Sequence, residues 1–255
     1  MEFISGIYSD IGNVKEVNQD AALVRQAETE KGKVLFAVVC DGMGGLQKGE
    51  LASATVIVKM SEWFENRFPD LLYRNFTPAA IKESWTQLLV QLDSQISAYG
   101  NTQGIQLGTT ITALLLVNDA YYICNVGDSR IYYLNEEIRQ VTRDQSYVQR
   151  EIDMGRMTEE EALLSEQRSV LLQCIGVGAG VIPDFYVGEY APSTAFLLCS
   201  DGFRHVISSQ EMLNELHPQD LGDENDIIAK LRKMANVAKL RREDDNITAV
   251  LIHII

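Results

Sequence analysis

Residues Val34–Cys40, VLFAVVC, form an unbroken apolar run that stops at Asp41-Gly42 and a further pair, Gly44-Gly45. A run of this length, closed by turn residues and without polar alternation, predicts a strand covered on both faces. The closing stretch Asn246–Ile255, NITAVLIHII, makes the same demand, since both of its alternating faces are largely apolar. A chain with such strands must stack its sheets and cover them with helices. The ends of these runs carry carboxylates. Asp41-Gly42 follows Cys40, Asp201-Gly202 follows the AFLLC run Ala195–Cys199, Asp128 follows Tyr121–Val126, and Asp245 precedes the last strand. Core packing does not explain them, because burying an unpaired charge is costly. Repeated aspartates at strand ends predict one acidic cluster assembled from distant segments.

The remaining pattern supplies the helices and the other strands. Glu2–Ser9 and Ala21–Arg25 read as strands flanking the turn-rich Asp10–Asp20, with Glu28–Lys33 as a polar hairpin-like link to Val34. From Lys48, Ile57, Met60, Phe64 and Phe68 mark a helical face that Pro69 ends. Thr77-Pro78 starts a second helix, whose stripe Ile81, Trp85, Leu88, Leu92 and Ile96 reads as core. After a polar Gly100–Gln106 loop come three β-rich runs, Thr109–Val117, Ala120–Val126 and Arg130–Leu134. Their short links, Asn118-Asp119 and Gly127–Ser129, predict antiparallel neighbours. Gln145–Pro183 is polar and without strand periodicity, and Thr158-x-x-Glu161 places a capped helix within it. Ser208-x-x-Glu211 starts another helix, and Asn225–Lys239 reads as a longer one. With no linker, repeat or low-complexity tract, residues 1–255 are expected to form a single domain.

Charge and residue usage narrow the chemistry. A net charge of −14 disfavours nucleic acid and anionic membrane surfaces. Cys40, Cys124, Cys174 and Cys199 have no CxxC spacing and read as small buried hydrophobes. No signal sequence and no membrane-spanning run is apparent, so the cytoplasm is the expected compartment. Gly44–Gly49 has the spacing of a phosphate loop, but Glu50-Leu51 follows instead of Lys-Ser/Thr. Gly176, Gly178 and Gly180 match a dinucleotide fingerprint only loosely, and Asp223–Asp226 lacks the glycine and glutamate of a calcium loop. His205, His217 and His253 are scattered, which disfavours a histidine-ligated zinc.

Oxygen chemistry is left. If Asp20, Asp41, Asp128, Asp201 and Asp245 converge, carboxylates ~4 Å apart repel by ~4 kcal/mol at an effective dielectric near 20. Such a cluster calls for hard divalent cations, Mg²⁺ or Mn²⁺. Two of them can share a water, lower its pKa and aim it at phosphorus. Glycine after Asp41 and Asp201 leaves room for backbone carbonyls and waters. One Asp-Gly alone is most often a turn; the ordered set is harder to explain that way.

In order and spacing, GNVKEVNQDA (Gly12–Ala21), CDGMGG, the GTT of Gly108–Thr110, NVGDSR, VTRDQS, LLQCIG, CSDG and EDDNITAV (Glu243–Val250) span nearly the whole chain. Together they resemble the metal-dependent Ser/Thr protein phosphatases of type 2C (PPM type), in a bacterial-like form. The resemblance implies an α+β fold, a four-layer α-β-β-α sandwich of two antiparallel sheets flanked by helix pairs. It implies two core ions, Mn²⁺ or Mg²⁺, with Asp41 bridging both and the Gly42 carbonyl contributing. Asp201 and Asp245 would complete the first site, Asp20 would act on the second through water, and Asp128 with Asp201 would hold a weaker third ion. Residues 145–183 correspond to the family's variable flap. Asn246 would orient Asp245 or cap the following strand. The implied reaction is hydrolysis of phosphoserine and phosphothreonine on proteins by a metal-bridging water or hydroxide, without a phosphoenzyme. The implied partners are phosphorylated proteins and an opposing Ser/Thr kinase, and a monomer is expected. Three positions depart from the pattern: Lys15 stands where an arginine usually binds phosphate, Gln19 where many members have Glu, and Met43 where many eukaryotic relatives have His. No general acid is therefore apparent. Lys15 and Gln19 leave open a non-catalytic module that binds phosphoproteins, and a hydrolase of a small phosphorylated metabolite is a further alternative.

Overall fold

The computed structural model describes residues 1–43, 48–178 and 180–255; Gly44 and Gly45 of the CDGMGG run lie outside them. In chain order, β1 (Phe3–Asp10), β2 (Ala21–Thr29) and β3 (Gly32–Cys40) lead into α1 (Gly49–Asn66), α2 (Phe68–Arg74) and α3 (Pro78–Gln103). Next come β4 (Ile111–Val117), β5 (Ala120–Val126), β6 (Arg130–Leu134) and β7 (Ile138–Gln140), followed by α4 (Tyr147–Asp153) and α5 (Glu159–Leu164). The chain continues through β8 (Asp184–Glu189), β9 (Thr194–Cys199), α6 (Asp201–Arg204), α7 (Ser209–Leu216), α8 (Glu224–Leu240) and β10 (Ile247–Ile254).

The strands form two five-stranded antiparallel sheets, ordered β2-β3-β4-β5-β8 and β1-β10-β9-β6-β7. Strand parity divides the core into layers. On β3, Val34, Phe36, Val38 and Cys40 pack toward α1–α3, while Leu35, Ala37 and Val39 face the other sheet. On β10, Ile247, Ala249 and Leu251 pack toward α7 and α8, while Val250, Ile252 and Ile254 face β3 and β4 across the sandwich. The result is the expected four-layer α-β-β-α sandwich. Phe36, Trp63, Phe64 and Trp85 form one aromatic cluster under the first helix layer, with centroids 5.4–6.0 Å apart. All four cysteines are buried and free. Among the described residues no helix is long and apolar enough to cross a membrane.

Several local expectations hold. Thr77 Oγ1 accepts from the Ala80 N–H at the start of α3, and both capping boxes, Thr158/Glu161 and Ser208/Glu211, are formed. Others are corrected. Pro69 does not end the first helix; α1 stops at Asn66, and Pro69 sits in the first turn of α2, where its missing N–H has no intrahelical partner to lose. The polar stretch after Gly100 continues α3 to Gln103 before Gly104 turns left-handed. The link Glu28–Lys33 is largely strand, with β2 and β3 paired from Ala21↔Cys40 to Thr29↔Gly32.

The most consequential correction concerns Gly127–Ser129. Asn118-Asp119 makes the expected tight hairpin, with β4 and β5 paired. Gly127–Ser129 does not pair β5 with β6, for β6 lies between β9 and β7 in the opposite sheet. Gly127, at φ +106°, lets the chain leave one sheet for the other, and a Cβ there would meet Thr110 at 2.5 Å. Asp128 therefore hangs at the gap between the sheets.

Candidate metal centre

Five aspartates from both sheets reach this gap. Asp41 follows β3 and Asp20 precedes its neighbour β2, while Asp201 follows β9 and Asp245 shortly precedes β10. Their backbones are fastened across the gap. The Asp41 N–H donates to Thr110 Oγ1 (3.0 Å), and its carbonyl accepts from Thr109 Oγ1 (2.9 Å) and the Thr110 N–H (2.9 Å). Thr110 Oγ1 in turn meets Ser129 Oγ at 2.8 Å, tying the Asp41 arm to the Asp128 crossover. Asn246 Oδ1 accepts from the Gln19 N–H (2.8 Å), and its amide donates to the carbonyls of Ile11 (2.9 Å) and Val17 (3.1 Å). Asn246 thus anchors the loop that carries Lys15 and Asp20. Its neighbour Asp245 takes its backbone support from Glu243, whose Oε1 accepts from the Asp244 and Asp245 N–H groups at 3.1 Å each.

The glycines after the two aspartates have a stricter purpose than leaving room for ligands. A Cβ on Gly42 would lie 2.5 Å from the Gln19 carbonyl oxygen and 2.6 Å from that of Gly49. One on Gly202 would lie 2.2 Å from the Asn246 carbonyl oxygen. Each Asp-Gly is the point where one arm of the site presses on the backbone of another.

The clustering shows in the electrostatics. Burial, then the charges of Asp20, Asp201, Asp128 and Asp245, pushes the Asp41 carboxyl well above the ordinary carboxylate range. Burial raises Asp20 to about 7, with Asp201 and Asp245 adding to the rise and the Thr248 and Ser200 hydroxyls opposing it. Asp128 is raised to about 7 by burial and by Asp201, against the pull of Arg204. Lys15 is drawn into the same field, its Nζ 2.8 Å from Asp245 Oδ1. Although partial burial disfavours its ammonium, Asp245, Asp41 and Asp201 raise its pKa on balance. Lys15 is therefore no free surface residue.

Sequence reasoning missed an adjoining charged group. Asp144, of the VTRDQS run, is held by Arg130 in a two-pronged contact (Nε–Oδ1 2.8 Å, Nη2–Oδ2 2.7 Å). Arg204 Nη2 lies 3.3 Å from Asp144 Oδ2, 3.6 Å from Asp128 Oδ2 and 3.0 Å from the Asp128 carbonyl oxygen. His205 places Nε2 3.4 Å from Asp201 Oδ2 and Nδ1 3.5 Å from Glu243 Oε2. Arg204 and His205 follow Asp201 within one helical turn, which is the signal that could have found them. Gln19, at the position where many members of the resembled family have Glu, donates through Nε2 to Glu50 Oε2 at 3.3 Å, so a carboxylate stands beside it.

A crowded, partly desolvated set of oxygen donors that draws in an ammonium suits a hard divalent cation. Among the described residues no three His, Cys, Asp or Glu side chains close on a single point. Carboxylates with nothing between them repel, and backbone carbonyl and water oxygens would fill the remaining positions around an ion.

An acidic, oxygen-lined gap at one end of an α-β-β-α sandwich defines the class expected from the sequence, the metal-dependent phosphatases. A family model described as protein phosphatase 2C matches residues 12–251. A serine/threonine phosphatase, stp, of Listeria innocua is 29% identical over 248 residues, covering 96% of this chain and 93% of that protein. The solved structure of the S. agalactiae serine/threonine phosphatase superposes with a TM-score of 0.85 at 29% identity, with both chains covered in full (100%). The catalytic domain of the serine/threonine protein phosphatase PstP, in complex with two manganese ions, superposes with a TM-score of 0.78 at 26% identity, covering 99% of this chain and 98% of that one. The chain belongs to the protein phosphatase 2C family and is an enzyme of that class.

Proposed function

We propose that this enzyme hydrolyses phosphoserine and phosphothreonine on proteins, using water as the nucleophile and no phosphoenzyme. The observation that carries this reading is the convergence of Asp20, Asp41, Asp128, Asp201 and Asp245 from both sheets, with Lys15 drawn among them. Asp41, the Gly42 carbonyl, Asp201 and Asp245 would hold one divalent ion, and Asp41, with Asp20 acting through water, would hold the second. Bound Mn²⁺ or Mg²⁺ supplies Lewis-acid chemistry, lowering the pKa of a water and offsetting phosphoryl charge. The aspartates would keep those ions in register across the gap, with Asp41 and Asp245 fixed by the backbone contacts described above. Lys15, poised on Asp245, meets a phosphate oxygen as a point charge and without the fork of an arginine. The absence of a covalent step is supported by the fate of the nucleophilic side chains. Cys40 and Cys199 are buried in the core. Ser200 Oγ donates to Asp20 (2.9 Å), and Ser129 Oγ is engaged by Thr110 (2.8 Å).

Residues 145–183 serve as a substrate-facing flap of a single catalytic domain, 1–255. The segment carries exposed Leu163, Leu164 and Ile182. It is pinned to the sandwich where Ile175 pairs with Thr109 and where buried Asp93 accepts from the Gly176 N–H at 2.7 Å. A Ser/Thr kinase of opposing activity is the partner such a reaction requires.

The test is phosphate release from a phosphothreonine peptide in Mn²⁺, Mg²⁺ and EDTA, with Asp41→Asn and Asp201→Asn as controls. Metal-dependent release that is lost in both variants is expected. Folded, metal-bound protein that releases no phosphate would overturn the reading.

A further inference from the structure

A third ion is expected at Asp128 with Asp201, and the residues there do not fit one. Asp128 already faces a cation. The Arg204 guanidinium lies 3.6 Å from its Oδ2 and donates to its carbonyl oxygen at 3.0 Å. Both side chains are withdrawn from solvent, with relative exposures of 10% for Arg204 and 7% for Asp128. Around Asp128, two guanidinium groups (Arg130, Arg204) offset two carboxylates (Asp144, Asp128), leaving Asp201 as the further negative charge acting on it. On its other side Asp201 has the imidazole of His205 3.4 Å away. Arg204 Nε and His205 Nδ1 are buried without a hydrogen-bond partner. Leaving donors unpaired is costly; the Arg204 Nη2 hydrogen bonds and the attraction of both side chains to the carboxylates offset that cost. Asp41, by contrast, has no cation within salt-bridge distance among the described residues.

We infer that Arg204, seconded by His205, takes the charge-balancing place of the third ion, so that this enzyme binds two ions and secures Asp128 with its own side chain. An arriving divalent ion would have to share Asp128 with a fixed positive charge a few ångströms away, and the guanidinium cannot give up its proton to make way. Arg204 is here a positioning residue; it acts through Asp128 and touches no reacting atom. The inference rests on the two-ion reading above and concerns only the site beside it.

Counting bound Mn²⁺ tests it, by the electron paramagnetic resonance signal of free Mn²⁺ during titration, on the wild type, Asp128→Asn and Arg204→Gln. The wild type is expected to saturate at two ions per chain, and Asp128→Asn should leave that count unchanged. Arg204→Gln, which keeps much of the side-chain volume but removes the charge, is expected to bind a third, weaker ion. A wild-type count of three that falls to two in Asp128→Asn would overturn the inference while leaving the two-ion reading standing. A wild-type count below two would overturn both. If Arg204→Gln fails to fold, the wild type against Asp128→Asn still decides.

Discussion

The two sheets end in nearly the same words, Cys40-Asp41-Gly42 after β3 and Cys199-Ser200-Asp201-Gly202 after β9. Their surroundings differ. The Asp41 arm is held by neutral groups, the hydroxyls of Thr109 and Thr110 and the backbones of Gln19 and Gly108. The Asp201 arm is held among charges: His205, Glu243, and the Arg204–Asp128–Asp144–Arg130 group. Nearly the same local sequence therefore builds one half of the site with its charge left uncompensated and the other half with compensation supplied by the protein. On the function proposed above, the first half would take its charge balance from divalent ions, whereas the second already holds cationic partners.

The largest effect should come from the uncompensated half. Asp41 lies in the field of all four other aspartates. Asp41→Asn is expected to lower phosphate release by ~10³-fold or more, the rate equivalent of roughly 4 kcal/mol of lost charge stabilisation in the transition state. Steady-state release from a phosphothreonine peptide measures it. Activity within tenfold of wild type would mean that Asp41 is not the residue the ions share, and the contrast between the arms would collapse.

Next in size is the compensated half, and here the damage should be to stability. Asp144→Asn leaves Arg130 and Arg204 without their common carboxylate in a mostly buried place. Breaking one partner of a buried ion pair costs roughly 3–5 kcal/mol, which urea unfolding would register. Thr110→Val on the opposite arm removes neutral partners alone, the acceptor for the Asp41 N–H and the hydroxyl contact with Ser129, and should cost about 1–3 kcal/mol. Equal losses from the two substitutions would erase the distinction drawn between the arms.

The difference also explains what was legible in the sequence. Asp41 and Asp201 announce themselves because a carboxylate at the end of an apolar run breaks a simple rule, and the two-faced burial of β3 and β10 gives the stacked sheets directly. Their partners give no such signal. Arg204 and His205 look like ordinary polar residues of a short helix, and only the fold reveals that they point at Asp128, Asp144, Asp201 and Glu243. The Gly127–Ser129 crossover was misread for a similar reason. A short link containing glycine fits a hairpin locally, and only the second sheet, assembled from β1, β6, β7, β9 and β10, determines that it bridges the gap instead. Gly42 and Gly202 stand out in the sequence after their aspartates, yet the Gln19 and Asn246 backbones that press on them are distant in the chain.

The smallest effect concerns pH and would sharpen the comparison most. In the metal-free protein, burial foremost raises Asp20 to about 7 and, with the neighbouring aspartates, raises Asp41 well above the ordinary carboxylate range. The native state then binds protons more tightly than the unfolded chain, so this contribution to stability is full below the unfolded value and is lost as pH rises through the folded one. With EDTA present, the melting temperature should therefore rise as pH is lowered from about 7.5 to about 5.5. Saturating Mn²⁺ should abolish that rise, because a divalent ion binds the deprotonated carboxylates and competes with the proton. Asp41→Asn, which removes the charge most exposed to its neighbours, should flatten the EDTA profile. Asp144→Asn should not flatten it, because Asp144 is a carboxylate that Arg204 and Arg130 hold below the ordinary range against burial. A metal-free melting temperature that stays level or falls over that interval would mean that the arm without cations carries no excess charge to relieve.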